Sequence, residues 1–588
     1  MKLKRLALRI ILKAQKNYLK IKNLRLIDFY KVGFDFNKKI PDIIHLKSLV
    51  LFCVIFSAFT LFFFGLSFNT MKEMYLKDLK LSGGTYSEGN LGKFLRINPF
   101  YSQTNPVDEN AVSLLFNGLM KRGADRKLEK DLAESLEVSL DKKVYTFKLR
   151  QDVLWHDGER FDADDVIFTI NTIQNPDIRS SYYETWKGVK VEKLNDYEVK
   201  FVLKQTLESF LEDTTLKIIP KHVLEKVPSI NFQTAEFNNK PIGTGPYKFV
   251  SLKKSSDKET LFLEINEKFF DTKPNIMQVK LISYTNSDQI INDYLKNNIN
   301  SIGTSNKELS EKISDFESVR SLEYQLPRYV VAIFNTNSGW LKDKNLRLAI
   351  FNGINKNEVI KEAIGGKGLL ANAPILPGIF GSNKEISQSN YDLSKAREFL
   401  SSSGYELKDG YYQKDGKGLE LKIGVGLSEE MRETAEIISR DLDKIGLKSQ
   451  VVSRDRISFQ KETVRSRDYD ILVIGQSLGL YPDLFSYWHS SQVNDPGLNL
   501  SGFKDRKLDK FLEQYREAID QSEKKSKLEE IQKVLIDEAL AVYLYNPFYY
   551  LSVSPEVKGI EPGKVIYEQD KYSNIADWYI EYQKVMRD

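Results

Sequence analysis

Apolar positions along the chain follow three patterns. The first is an unbroken run, Ser48 to Phe68, of 21 residues without a charge and rich in Leu, Phe, Val and Ile; as a helix it would be about 31 Å long, enough to cross a bilayer core of roughly 30 Å. The second is alternation on a period of two, in Val144 to Leu149, Tyr197 to Leu203 and Leu261 to Ile265, which predicts strands. The third is helical spacing, in Asp164 to Thr172, Leu393 to Ser401, Glu429 to Ile445 and Leu508 to Ala518, the third of these stopped by Gly446. Leu419 to Val452 joins two of the patterns as strand, long helix and strand, the signature of a crossover in a parallel sheet. No period of 20 to 50 residues recurs, which disfavours solenoids and repeated-unit barrels. The pattern as a whole predicts two mixed α/β lobes.

Length and composition narrow the class. With 588 residues, 41% hydrophobic and 28% charged, the chain has ample material for several buried cores and no disordered or collagen-like bias. A single cysteine, Cys53, precludes a disulfide framework, and four histidines leave few ligands for a Cys/His zinc site. No cofactor or metal is expected. Cys53 near the start of the apolar run reads as an inert buried thiol.

Charge divides the chain. Residues 1–47 hold thirteen Lys/Arg against Asp28, Asp35 and Asp42, a net of +10, whereas the whole chain is +5, so the remainder is mildly acidic. Nucleic acid is therefore not an expected partner, because phosphate binding needs a basic face on the body. Basic residues before the run place the N-terminus in the cytoplasm and the body across the membrane. Two readings of 48–68 stay open: an uncleaved signal anchor in the bacterial inner membrane with the body in the periplasm, or a cleaved signal, with Gly65-Leu66-Ser67 as the small-residue site, giving a secreted periplasmic protein. Leucines and isoleucines among the lysines of 1–47 allow either an amphipathic helix on the inner leaflet or a plain positive flank.

Several motifs invite catalytic readings. Gly475-Gln476-Ser477-Leu478-Gly479 has the form of a nucleophile elbow, which would make Ser477 a hydrolase serine; Pro482 interrupts the helix that an elbow needs, and His489 follows too closely to be its base. His156-Asp157-Gly158 reads as a turn. Gly365-Gly366-Lys367-Gly368 lacks the hydroxyl residue of a phosphate loop, and Pro246 removes an amide donor from Gly243-Thr244-Gly245. No enzymatic activity is expected.

Longer segments resemble a known family. Asn98-Pro99 with Leu114 to Met120 (LLFNGLM), the stretch Asp131 to Ile170 (DLAESLEVSL through FDADDVIFTI), Pro241 to Phe249 (PIGTGPYKF), Phe334 to Ile350, Tyr391 to Tyr405 and Tyr469 to Trp488 are similar, in order, to elements of the family 5 extracellular solute-binding proteins. These are the dipeptide-, oligopeptide- and nickel-binding components of ABC importers, and the likeness runs from about Gly84 to about Ile560. The resemblance implies a two-lobed periplasmic-binding-protein fold of the large peptide-binding variety (type II). It divides the chain into a basic segment 1–47, a transmembrane helix or signal anchor 48–68, a linker 69–83, lobe I over 84–330 with a small subdomain at about 120–205, lobe II over 331–545, and a return to lobe I over 546–588.

It also implies an interlobe cleft that captures a peptide-like or other small solute and delivers it to an ABC permease, with Tyr101, Asn117, Asn335, Gln476, Leu480, Tyr481 and Asp483 as ligand-binding candidates. Leu480 stands where peptide-binding relatives carry the acid that pairs with the ligand's ammonium, and Asn117 replaces a second acid, so the pocket is expected to be less anionic than in those relatives. Asp483 either substitutes for that acid through a shifted loop or, standing at the family's Asp-Pro position, is structural. A membrane-anchored sensor or assembly protein that keeps the fold is the alternative function.

Overall fold

The computed structural model describes residues 54–60, 76–123, 127–207, 209–314, 316, 319–388, 390–561 and 565–586. The basic segment 1–47 lies outside them, as does most of the predicted span: only 54–60, a helical stretch with Val54, Ile55, Phe56 and Phe59 exposed, is described. Among the described residues no helix is long and apolar enough to cross a membrane. The chain forms two compact units, Met1–Leu79 with Gln583–Asp588, and Lys80–Tyr582. In the first, Lys584 meets Asp78 at 3.6 Å.

The second unit is built on one long mixed sheet. Its strands run in the order Lys448–Arg454, Glu420–Gly426, Ile471–Ser477, Arg328–Phe334, Ala541–Val553, Ser301–Thr304, Thr85–Leu91, Gln278–Tyr284, Lys258–Ile265 and Tyr247–Lys254. Arg328–Phe334 shows why the sequence folds so. Val330, Ala332 and Phe334 enter one core while Tyr329, Val331 and Ile333 enter another, because successive side chains of a strand point to opposite faces. An unbroken apolar run is thus buried on both sides, as a central strand requires. The segment Leu419 to Val452 forms the expected parallel pair, Glu420–Gly426 beside Lys448–Arg454, joined by helix Glu429–Lys444, whose Ile438 and Leu442 are fully buried.

A separate core gathers Tyr86, Phe100, Trp155, Trp186 and Trp578 around the other half of the sheet. It also takes in Phe147 and Phe201 from a four-stranded antiparallel sheet, Ala133–Val138, Val144–Leu149, Glu198–Val202 and Lys190–Asn195. The chain passes between the two halves at Leu326 to Arg328 and returns along Ala541–Val553. The first residues of that strand pair with Arg328–Phe334, and its last pair with Arg320–Gln325 and Ser301–Thr304.

Two local devices set one wall of the cleft described below. Gly243 and Gly245 pack against the end of helix Pro106–Leu115; a Cβ on Gly243 would lie 1.8 Å from the Leu115 carbonyl oxygen, so no larger residue fits. His156 clamps the same loop. Its Nδ1 accepts from the Gly243 amide at 3.1 Å, which leaves Nε2 as the protonated nitrogen donating to the Gly245 carbonyl, and burial lowers its pKa to about 4.

The second device is a fully buried ion pair. Lys571 Nζ lies 2.8 Å from Glu88 Oε1 and donates to Tyr549 and Asn110, while Tyr86 and Tyr572 donate to Glu88 Oε2 at 2.6 and 2.7 Å. Removing one partner of such a pair strands the other charge, so Lys571→Ala should cost about 3–5 kcal/mol of unfolding free energy in urea titration. A loss under about 1 kcal/mol, the worth of a surface pair, would show that the pair does not hold the segment.

Candidate functional site: the cleft between the two halves

A cavity of about 1710 Å³ separates the two halves of the sheet. On one side stand helix Pro106–Leu115, Phe116, Asn117, Arg122, and the segment from helix Phe210–Asp213 to Lys217. On the other stands the loop 477–487, which follows strand Ile471–Ser477, with Arg516 from helix Arg506–Glu517. Residues of the returning segment, Ile566 to Asp577, complete the wall.

Most charges in this cleft are already answered by protein groups. Arg516 grips Asp483 through two nitrogens, Nε lying 3.0 Å from Oδ2, and its guanidinium stacks 3.7 Å over the Phe485 ring. Arg122 pairs with Glu212 and lies 5.4 Å over the Tyr567 ring. Arg328 donates to Glu568 at 2.8 Å. Asp131 accepts from the Asn117 amide at 2.9 Å and from the Gly118 N–H; burial still holds its pKa above the usual carboxylate value. Asp570 caps the Ile566 and Tyr567 amides, and burial raises it as well.

Among the described residues the exposed Glu129 and Lys204 form no ion pair, and two less exposed groups are not answered either. Lys217 makes no ion pair among the described residues, and burial lowers its pKa although Asp131, Asp570 and Glu109 oppose the shift. Asp213 accepts a single long hydrogen bond, 3.3 Å from Ser209 Oγ, and has no cation in contact among the described residues. Its pKa is raised to about 7, first by burial and next by the like charge of Asp483.

The seven residues named from the sequence divide. Asn117, Leu480, Tyr481 and Asp483 line the cleft together. Tyr481 is held by Phe380, whose ring lies 5.5 Å away and whose amide donates to the Leu480 carbonyl at 3.1 Å. Tyr101, Asn335 and Gln476 are not among the lining residues. The Tyr101 hydroxyl donates to the Ile178 carbonyl at 2.9 Å. Asn335 donates to the carbonyls of Arg467 and Tyr469, and Gln476 accepts from the buried Tyr329 hydroxyl. Carboxylates stand on the cleft walls beside Asn117 and Leu480, namely Glu109, Asp131, Glu212, Asp213 and Asp570. Asp483, which the sequence left as either a stand-in for an acid at 480 or a structural residue, is engaged by Arg516.

Ser477 ends its strand and is followed by irregular chain up to the four-residue helix Phe485–Trp488, where a nucleophile elbow would begin a long helix. The His489 ring bonds to Ser491 at 2.8 Å and faces Glu513, not the serine.

The family model for bacterial extracellular solute-binding proteins, family 5, matches residues 127–497. The chain belongs to that family. Among curated family 5 relatives, the oligopeptide-binding protein AppA of Bacillus subtilis is 27% identical over 85% of this chain and 92% of its own length. The dipeptide-binding protein of Escherichia coli is 25% identical over 73% of this chain and 82% of its own. Among solved structures, NikZ from Campylobacter jejuni in complex with Ni(L-His) superposes with a TM-score of 0.74 at 30% identity, covering 84% of this chain and 99% of that one. AppA from Bacillus subtilis in complex with a nonapeptide gives 0.74 at 25% identity, covering 86% and 100%. The mixed α/β solute-binding-protein fold is thus shared with peptide- and nickel-complex binders alike.

Asp213 generates a pH prediction for this family 5 cleft. Its folded pKa lies above that of an unfolded aspartate, so folding takes up a proton between about pH 4 and 7 and the wild type loses stability as pH rises through that window. Asp213→Asn should therefore be more stable than wild type at pH 8, by about 1–3 kcal/mol after allowance for its partial exposure, with the difference gone near pH 4. Equal unfolding free energies at pH 8 would show that the carboxylate is well solvated.

Proposed function

We propose that the chain is the extracytoplasmic solute receptor of an ABC importer and that its solutes are oligopeptides. The observation that carries this reading is the cleft of about 1710 Å³, well above the roughly 300–1,000 Å³ of ordinary small-molecule pockets. A space of that size suits several peptide residues better than one amino acid or a small chelate. The lining supports peptides over a nickel–histidine complex, since no histidine or cysteine stands among the described cleft residues and its polar groups are carboxylates, amides, Lys, Arg and Tyr. Asn117, Leu480 and Tyr481 are the ligand-contacting residues in this reading, with Leu480 offering an apolar surface to a ligand side chain.

The body works outside the cytoplasm, held at the membrane by residues 48–68. The uncharged run and its basic flank support that placement, and the mass of the mature chain tests it by retaining or lacking residues before Phe68.

Ligand at 100 times its dissociation constant adds about 2.7 kcal/mol to stability. A mixed tetra- to nonapeptide library should raise the melting temperature of the purified protein, and nickel with excess histidine should not. A shift with nickel–histidine alone would replace the peptide reading with a chelate receptor.

A further inference from the structure

Most charges of the cleft have a protein partner, and among the described residues the less exposed exceptions are Lys217 and Asp213. Asp213 ends helix Phe210–Asp213 on one wall. The preceding residues Leu207 and Ser209 close a small void with Tyr481, Asp483 and Arg516 of the opposite wall, so this helix stands directly across from the 480–487 loop. That loop presents Leu480, which holds no charge, and Asp483, already gripped by Arg516. The carboxylate of Asp213 has the Ser209 hydroxyl as its only hydrogen-bond partner among the described residues, and it lines the cavity.

A part-buried carboxylate without a counter-ion, facing a second carboxylate across a gap, is destabilising unless something positive enters the gap. On this basis, and building on the peptide reading above, we propose that Asp213 receives the free amino terminus of the ligand. The ammonium is then held from the lobe opposite the loop that carries Leu480. Such a cation also lies between Asp213 and Asp483 and removes their mutual repulsion, so it favours the arrangement in which the two walls approach. A ligand without the charge gives no such bias, because a ligand shifts a conformational equilibrium only by its differential affinity for the two states.

The charged and titratable groups facing Asp213 bear on its protonation. Arg122 lowers its pKa and is itself engaged by Glu212, Asp483 raises it, and the phenols of Tyr182 and Tyr567 stand within its field. Near pH 6 the empty site therefore holds a proton that an arriving ammonium expels.

The test uses the full chain in detergent and two random hexapeptide libraries, one with free amino termini and one N-acetylated, in isothermal titration calorimetry. Wild type should bind the free library about ten- to a hundredfold more tightly, the range for a hydrogen bond to a charged group. At pH 6 it should release protons, read as a buffer-dependent enthalpy. Asp213→Asn should erase both the preference and the release. Equal affinity of wild type for the two libraries would overturn the assignment of Asp213 and leave the peptide reading standing. Binding of neither would overturn both. If Asp213→Asn does not fold, the acetylation preference and proton release of the wild type decide alone, and the absence of either overturns the assignment.

Discussion

The structure depends on one strand that belongs to three cores. Ala541–Val553 is buried almost throughout; its start is packed with Val330, Ala332 and Ile438, its end with Tyr86, Leu281 and Trp578. A strand in this position cannot shift register by one residue without moving every core side chain into the core on its opposite face, so the halves are tied to a fixed axis. The Lys571–Glu88 pair locks the far end of that axis, since Tyr549 lies on the strand and Asn110 on the helix that forms the cleft wall. The chain crosses between the halves at Leu326 to Arg328 and along Ala541–Val553, and on the proposed reading rotation about these two crossings opens and closes the cleft.

Electrostatics then decides which state the motion favours. Carboxylates predominate in the cleft, and several have partners within one wall: Arg516 neutralises Asp483, while the Asn117 amide hydrogen-bonds Asp131. Charges satisfied within a wall contribute little to closure. On the proposed reading, Asp213 and Lys217, less exposed groups without an ion pair among the described residues, are where a ligand can distinguish open from closed, and moving a population from 1:99 to 99:1 needs about 5.5 kcal/mol of such preference.

Much of the fold was legible from periodicity. Val144 to Leu149, Glu429 to Ile445 and the parallel pair around it form as their spacing predicts, because a two-residue or 3.6-residue repeat reports directly which face is buried. The site was legible only in part. The loop 480–483 reaches the cleft as its motif implies, but Gln476 turns inward while its neighbour Ser477 is exposed, an alternation that a motif match cannot phase. Asn335 serves the backbone of the neighbouring segment at Arg467 and Tyr469. Asp213 was missed because an unpaired charge is a property of three-dimensional neighbours: Arg122 finds Glu212 across 90 residues and Arg516 finds Asp483 across 33, and no local pattern says which acid will be left without a cation.

The central claim is that a peptide in this cleft draws the two halves together. Spin labels at Ile230→Cys and Ile457→Cys, exposed positions on opposite halves, in a Cys53→Ser background, report the distance between them by double electron–electron resonance. The account predicts that saturating free-amine hexapeptide library shortens and narrows the distance distribution. An unchanged distribution with the library demonstrably bound would contradict it.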